Sequence, residues 1–213
     1  MGCVILQEKE DTMKNTFNEN DFVAVAQRIG VESAAVRAVA DVETNGRNGF
    51  LPDGRAVILY EGHVFWQRLK LYGLNPADFM CGNEDILHLE WTRRHYKGGS
   101  KEYERLERAV KINERAALES TSWGVFQIMG FNHKLCGCDT VQEFVKRMNE
   151  SSAEQLSLWC EFMKNTGLAH CLKYHKWELF ALRYNGKGYK VNKYDKRLKN
   201  AYEKHKRNET TEN

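Results

Sequence analysis

Ser33-Ala34-Ala35-Val36-Arg37-Ala38-Val39-Ala40-Asp41-Val42-Glu43-Thr44-Asn45-Gly46 is the stretch on which the reading of this chain turns. Val36, Val39 and Ala40 stand seven, four and three residues before Glu43, which is helical spacing, and Asn45-Gly46 is a helix breaker. The pattern predicts a helix from Ser33 to about Glu43 that buries its valines and alanines. Glu43 then ends that helix with apolar neighbours on its own face. Burial and the negative end of the helix dipole both disfavour the ionised carboxylate. A carboxyl that keeps its proton near neutral pH is suited to general-acid chemistry, such as protonation of a leaving glycosidic oxygen. The competing reading is a solvated helix-end glutamate.

Working outward, Phe22, Val25, Ala26 and Ile29 predict a preceding helix over 21–29, which Gly30 stops, so ordered structure is expected from about Asn18. After Glu43, Asn45-Gly46, Asn48-Gly49 and Pro52-Asp53-Gly54 are turn signals. Ala56-Val57-Ile58-Leu59-Tyr60 is short and β-prone, so residues 50–61 read as a small hairpin or a single strand ending at Glu61. Further helices are expected over 63–72, from a Ser100 cap through Ala117, over 140–149, from a Ser151/Glu154 capping box, over 168–174, over 177–183 and from about 193 to 207. The stretch 73–99 reads as mixed loop and short helix. The fold class is therefore mainly α with a small β-hairpin. The expected organisation is a flexible arm over residues 1–17, with Met13 as an alternative start, one domain over 18–207 and a polar tail over 208–213.

The 213 residues, 42% hydrophobic and 29% charged with only two prolines, describe a soluble globular chain rich in helix. No apolar run approaches the ~20 residues of a membrane span, so no stable membrane insertion is expected. The net charge of +3 is too small to imply a nucleic-acid partner. Its basic residues concentrate between Lys187 and Arg207, a patch that would attract polyanions, including those of a bacterial envelope, or simply form a solvated face. Cys3, Cys81, Cys136, Cys138, Cys160 and Cys171 lack the spacing of a disulfide scaffold, and free thiols are expected. His133, Cys136 and Cys138 lack the second ligand pair of a zinc site, so neither metal nor cofactor is expected. Met1-Gly2-Cys3 matches neither a secretory leader nor a myristoylation signal. A leader removed upstream of Cys3 stays an open alternative.

Two later segments carry chemistry-bearing residues. Ser122-Trp123-Gly124-Val125-Phe126-Gln127-Ile128-Met129-Gly130 holds one amide among apolar residues, and Tyr184-Asn185-Gly186-Lys187-Gly188-Tyr189 reads as a glycine-punctuated loop. Together with Val42-Glu43-Thr44, in this order, they resemble the three-part pattern of family 1 lytic transglycosylases and goose-type lysozymes. The likeness is closer to the N-acetylmuramidase family found in many phage endolysins. It is carried by residues 38–44, Gly49 to Arg55, Ile58-Leu59-Tyr60-Glu61-Gly62-His63-Val64-Phe65, Trp123 to His133, Tyr184 to Tyr189 and Tyr194-Asp195, and covers nearly all of residues 20–205. Gly62 departs from the basic residue usual there, and Lys187 from the usual proline.

The resemblance implies a lysozyme-like, two-lobed fold with a substrate groove and a hydrolase acting on peptidoglycan between N-acetylmuramic acid and N-acetylglucosamine. It makes Glu43 the acid and Glu61 the candidate second carboxylate, against a helix-capping or ion-paired role for Glu61. Asp53 is a poorer choice, being explained as a turn residue. Gln127 and Asn185 would supply amide hydrogen bonds to N-acetyl groups or to Glu43, and Tyr184 would hold the Glu43 carboxyl or stack on a sugar. Trp123 and Phe126 are substrate-binding candidates for which core packing is the favoured alternative. Three other functions stay open: a lytic transglycosylase leaving anhydromuramic ends, a non-catalytic wall-binding module, and a nucleic-acid binder resting on the C-terminal charges alone. The expected protein is a monomer, held in the host cytoplasm until a membrane pore releases it to the wall or periplasm.

Overall fold

The computed structural model describes residues 16–46 and 49–211. The expectations for the arm up to residue 15, for Cys3, for the alternative start at Met13 and for Asn48 lie outside the described residues. The chain forms two compact units, one built from residues before Gly49 together with those from Ser152 onward, the other from Gly49–Ser151.

In the first unit, α1 (Glu19–Ile29) starts at a capping box in which Asn18 and Asp21 satisfy each other's backbone N–H groups. It ends at Gly30, whose left-handed φ of 66° lets its N–H reach back to the carbonyls of Ala26 and Gln27. α2 (Ser33–Thr44) follows, with Val36, Ala38 and Val39 fully buried. Asn45 closes it in the left-handed region, donating its N–H to Asp41 O. The chain returns with α7 (Ser152–Asn165), α8 (Ala169–Lys173), α9 (Trp177–Asn185), a 3-10 turn over Lys187–Lys190 and α10 (Tyr194–Thr211). α1 packs on α2 and α7, and α10 runs along α2. Two boundaries differ from expectation: α9 continues through Tyr184 and Asn185, which therefore leave the loop for a helix end, and α10 extends past Arg207 to Thr211.

The second unit holds β1 (Ile58–Tyr60), α3 (Gly62–Leu71), a 3-10 turn over Pro76–Phe79, α4 (Lys101–Ile112), α5 (Glu114–Glu119), β2 (Thr121–Trp123), β3 (Ile128–Met129), a 3-10 turn over Gly130–Asn132 and α6 (Val141–Met148). The sheet is antiparallel in the order β1-β2-β3, with Ile58 opposite Trp123 and Trp123 opposite Ile128. The hairpin therefore lies at 121–129, while 50–61 contributes a single Phe50–Ala56 bridge before β1. The helix expected from Ser100 through Ala117 is two helices. Asn113, extended at φ −158°, turns its side chain to accept from Ala116 N at 2.9 Å, and this capping competes successfully with helix continuation. Ser100 makes no side-chain cap. Gly130 permits the turn after β3 to approach α5, because a Cβ there would sit 2.2 Å from Leu118 O. The five described cysteines are free thiols.

Glu102 and Arg105 on α4 form a 2.7 Å ion pair with both side chains at 0% exposure. Arg105 also donates to Tyr60 O at 3.0 Å and Asp85 O at 2.7 Å, while Glu102 accepts from Tyr60, Lys97 and Gly98 N–H groups. Removing one partner leaves the other charge buried and unpaired. Arg105→Leu is expected to lower the unfolding free energy by about 3–5 kcal/mol, measured as a lower denaturant midpoint.

Candidate active site

The backbone places Glu43 where α2 ends, and α10 completes its surroundings. Tyr194, in the first turn of α10 and 4% exposed, donates its hydroxyl to Glu43 Oε1. Arg197, one turn later, donates to Val42 O at 3.1 Å and to Asn45 Oδ1 at 3.3 Å, satisfying a carbonyl that the end of α2 leaves without an intrahelical partner. Farther along, Tyr202 donates to Glu32 at 2.6 Å and His205 Nε2 lies 2.8 Å from Asp41 Oδ2, so α10 is tied to α2 at both ends. Glu43 keeps an opening to solvent but is otherwise enclosed by protein. Burial pushes its pKa from 4.5 up to about 7, against the opposing pull of the Tyr194 hydrogen bond and the Arg197 charge.

Tyr184, expected to hold this carboxyl or stack on a sugar, lies beside the tyrosine whose hydroxyl bonds the carboxyl. Its ring is near-parallel to Tyr194 at 6.4 Å between centroids and stacks on Phe180 at 5.2 Å. Asn185 is the exposed last residue of α9, just before Gly186 turns the chain. In the sequence Tyr194 stands within the family-like segments with nothing local to mark its role, and Arg197 is one of the basic residues of the C-terminal patch. A tyrosine opening a basic helix carries no local mark of its partner, which is 151 residues away in sequence.

In the second unit, Glu61 occupies the position before α3, with its N–H bonded to Ser120 O at 3.0 Å. Its side chain makes no capping bond to the helix. Instead it accepts from the Tyr96 hydroxyl at 2.7 Å through Oε2. Burial raises the Glu61 pKa, opposed by Tyr96 and the Arg105 charge, with Glu102 adding to the rise. His63 Nδ1 lies 3.4 Å from the same oxygen but makes no hydrogen bond, and burial lowers the His63 pKa, so the ring is neutral near pH 7. Tyr96 sits in the stretch 73–99, whose mixed pattern offered no register from which to place it.

Trp123 and Phe126 are 1% and 3% exposed, and the Trp123 indole donates to Leu118 O. Neither offers a face to a sugar, which corrects the substrate-binding expectation for both in favour of core packing. Gln127 is exposed and left-handed at φ 47°. Its amide accepts from Ser122 Oγ at 2.9 Å and donates to Gly124 O at 2.8 Å, clamping the hairpin turn. Asp53 pairs with Arg55 in the turn at 2.7 Å, as its sequence context implied. His133 and Cys136 and Cys138 are buried, with His133 Nδ1 3.1 Å from Gly130 O. Among the described residues no group of three or more His, Cys, Asp or Glu side chains is arranged to hold a metal ion. A cavity of about 580 Å³ in the first unit, lined in part by His175, Trp177, Lys196 and Lys199, contains none of the candidate residues.

Because Glu43 binds its proton more tightly folded than unfolded, it favours the folded state fully below pH 4.5, and this contribution is lost as pH rises through about 7. Glu43→Gln, which has no charge to bury, is therefore expected to be more stable than the parent above pH 7, by up to ~3 kcal/mol. Thermal melts at pH 8 and pH 4 check this, since the difference between the two proteins should vanish at the lower pH.

The model of the N-acetylmuramidase family matches residues 32–206. Among solved structures, the crystal structure of a Burkholderia AP3 phage endolysin is similar, with a TM-score of 0.83 and 40% sequence identity over 91% of this chain and 73% of that one. A comparison with curated proteins gives no match.

Proposed function

The chain belongs to the N-acetylmuramidase family, and from that premise we propose that Glu43 is its general acid and Glu61 its second carboxylate. The enzyme is a glycoside hydrolase of the lysozyme type, mainly helical with a small antiparallel sheet, that cleaves the glycan strand of peptidoglycan between N-acetylmuramic acid and N-acetylglucosamine.

The observation that carries the assignment is the enclosure of the Glu43 carboxyl at the end of α2 against the Tyr194 hydroxyl, where burial pushes its pKa up to about 7. Cleavage needs that proton on the glycosidic oxygen as the C–O bond breaks, so that the departing sugar leaves as an alcohol. Tyr194 holds the carboxyl in place and stabilises the carboxylate that results. The sugar ring left behind carries oxocarbenium character, and water completes the hydrolysis at its anomeric carbon. The Glu61 carboxylate either stabilises that positive charge or takes the proton from the attacking water. Asn185, exposed at the end of α9, is proposed to bond a substrate N-acetyl group. Tyr184 is proposed to hold the Tyr194 ring in place, and Gln127 to keep the hairpin turn closed.

The catalytic domain is proposed to span residues 18–207 and to work as a monomer, with peptidoglycan as its polymeric partner and no nucleic acid. Synthesis in the host cytoplasm before release to the wall or periplasm is proposed on the family relationship. Among the described residues no helix is long and apolar enough to cross a membrane.

Glu43→Gln is expected to fold and to lose activity on purified cell walls by about 10²–10⁴-fold, the usual size of a general acid's contribution. Full clearing by this variant would remove Glu43 from the mechanism. Tyr194→Phe deletes a hydrogen bond that lowers the Glu43 pKa, so the alkaline limb of its kcat/KM profile is expected to lie at higher pH than the parent's. Mass spectrometry of the released fragments is expected to find reducing muramic acid ends, whereas anhydro ends would indicate transglycosylation.

A further inference from the structure

The segment between Ile86 and Lys97 has no regular secondary structure, yet it is fixed at both ends by the buried pair on α4. Before it, Arg105 holds Asp85 O at 2.7 Å and the Tyr60 hydroxyl donates to Ile86 O at 2.8 Å. After it, Glu102 accepts from Lys97 N at 2.6 Å and Gly98 N at 3.0 Å. Its beginning lies against the start of α3. A Cβ at Gly62 would come within 2.6 Å of His88 Nε2 and 2.9 Å of Ile86 O, so the glycine that departs from the family pattern is what admits the segment. His88 continues a run of ring contacts from His63 to His95.

This anchoring has two results at the surface. It delivers the Tyr96 hydroxyl to Glu61 Oε2, leaving Oε1 of that carboxylate without a hydrogen bond among the described residues. It also presents Trp91, 58% exposed, on the same short segment, with the Arg93 guanidinium 5.6 Å from the centre of its ring. Trp91 precedes Tyr96 by five residues on this segment and is among the side chains close enough to act on its phenol, which in turn bonds the Glu61 carboxylate. An indole held on an anchored backbone loses little conformational freedom when a ligand covers it. The apolar C–H face of a pyranose suits that flat surface, as aromatic side chains in ligand sites commonly provide one.

We propose that residues 88–96 form a sugar-binding wall beside Glu61, in which Trp91 is the platform for one N-acetylhexosamine ring of the glycan strand and Tyr96 is the residue that positions the Glu61 carboxylate. The proposal rests on the reading of Glu61 as a reacting group. The charged and titratable groups facing that carboxylate are Tyr96 and His88 from the segment, His63 from α3, and Glu102 and Arg105 from α4. Of these, Tyr96 donates a hydrogen bond to it, so Tyr96→Phe raises the pH at which Glu61 ionises.

The test uses a β-1,4-linked N-acetylglucosamine tetrasaccharide titrated calorimetrically into the Glu43→Gln protein, with and without Trp91→Ala or Trp91→Phe. Trp91→Ala is expected to weaken binding about tenfold, the size of one good aromatic contact, and Trp91→Phe to restore most of it. In the active enzyme on solubilised glycan strands, Trp91→Ala should raise KM about as much with kcat retained. Tyr96→Phe should lower kcat and move the acidic limb of its pH profile upward. Unchanged binding and KM in Trp91→Ala overturn the platform, and an unmoved acidic limb in Tyr96→Phe overturns the positioning role. Glu61→Gln separates the two levels: full turnover by that variant defeats the underlying assignment and with it the placement of the wall, whereas an inactive Glu61→Gln beside a normally binding Trp91→Ala defeats the wall alone.

Discussion

The chemistry proposed for this protein depends on keeping water away from one carboxyl group. Glu43 ends a helix whose inner face is valine and alanine, and the first turns of α10 cover what that helix leaves open. Desolvation is the largest influence on its proton affinity and outweighs both the Tyr194 hydrogen bond and the Arg197 charge. The balance has a purpose in both directions. In the proposed role, loss of the hydrogen bond and the cation would make the carboxyl hold its proton more firmly, and less burial would let it ionise at lower pH. The proposed function therefore constrains α10 as much as α2, and the ties from Tyr202, His205 and Lys206 to Glu32 and Asp41 hold the two helices in register.

A different constraint organises the second unit. Glu102 and Arg105 are fully buried, and a pair of that kind is weak evidence for stability because desolvation offsets most of the attraction. What the pair does is structural: its oxygens and guanidinium nitrogens satisfy backbone groups of β1 and of the chain on either side of residues 86–96. Backbone without helix or strand partners must find other ones when buried. Here a side-chain pair supplies them, and Tyr96 and Trp91 are placed as a consequence.

Much of this was legible in the amino-acid order because it is local. Helical spacing in Ser33 to Glu43, the turn residues after it and the apolar spacing from Phe22 to Ile29 with its stop at Gly30 each depend on residues within one or two turns of one another. Glu43 stood out for the same reason, since its apolar neighbours share its helix. The partners that tune it did not, because Tyr194 and Arg197 reach it from α10 and nothing in their immediate surroundings indicates where they point. The hairpin at 121–129 was read only as an aromatic, glycine-bounded segment; its strands are two and three residues long, too short for alternation to register. The break at Asn113 is hidden in the sequence because apolar periodicity continues across it, and Trp123 and Phe126 show how an aromatic in a family motif can serve the core.

The most direct measurement is a ¹³C NMR titration of the Glu43 side-chain carboxyl in glutamate-labelled protein, assigned by comparison with the Glu43→Gln variant. A midpoint close to pH 7 is the result that burial at the end of α2 requires. A midpoint near 4.5, the value of an unperturbed glutamate, would mean that the carboxyl is solvated and that its proton is not available for catalysis.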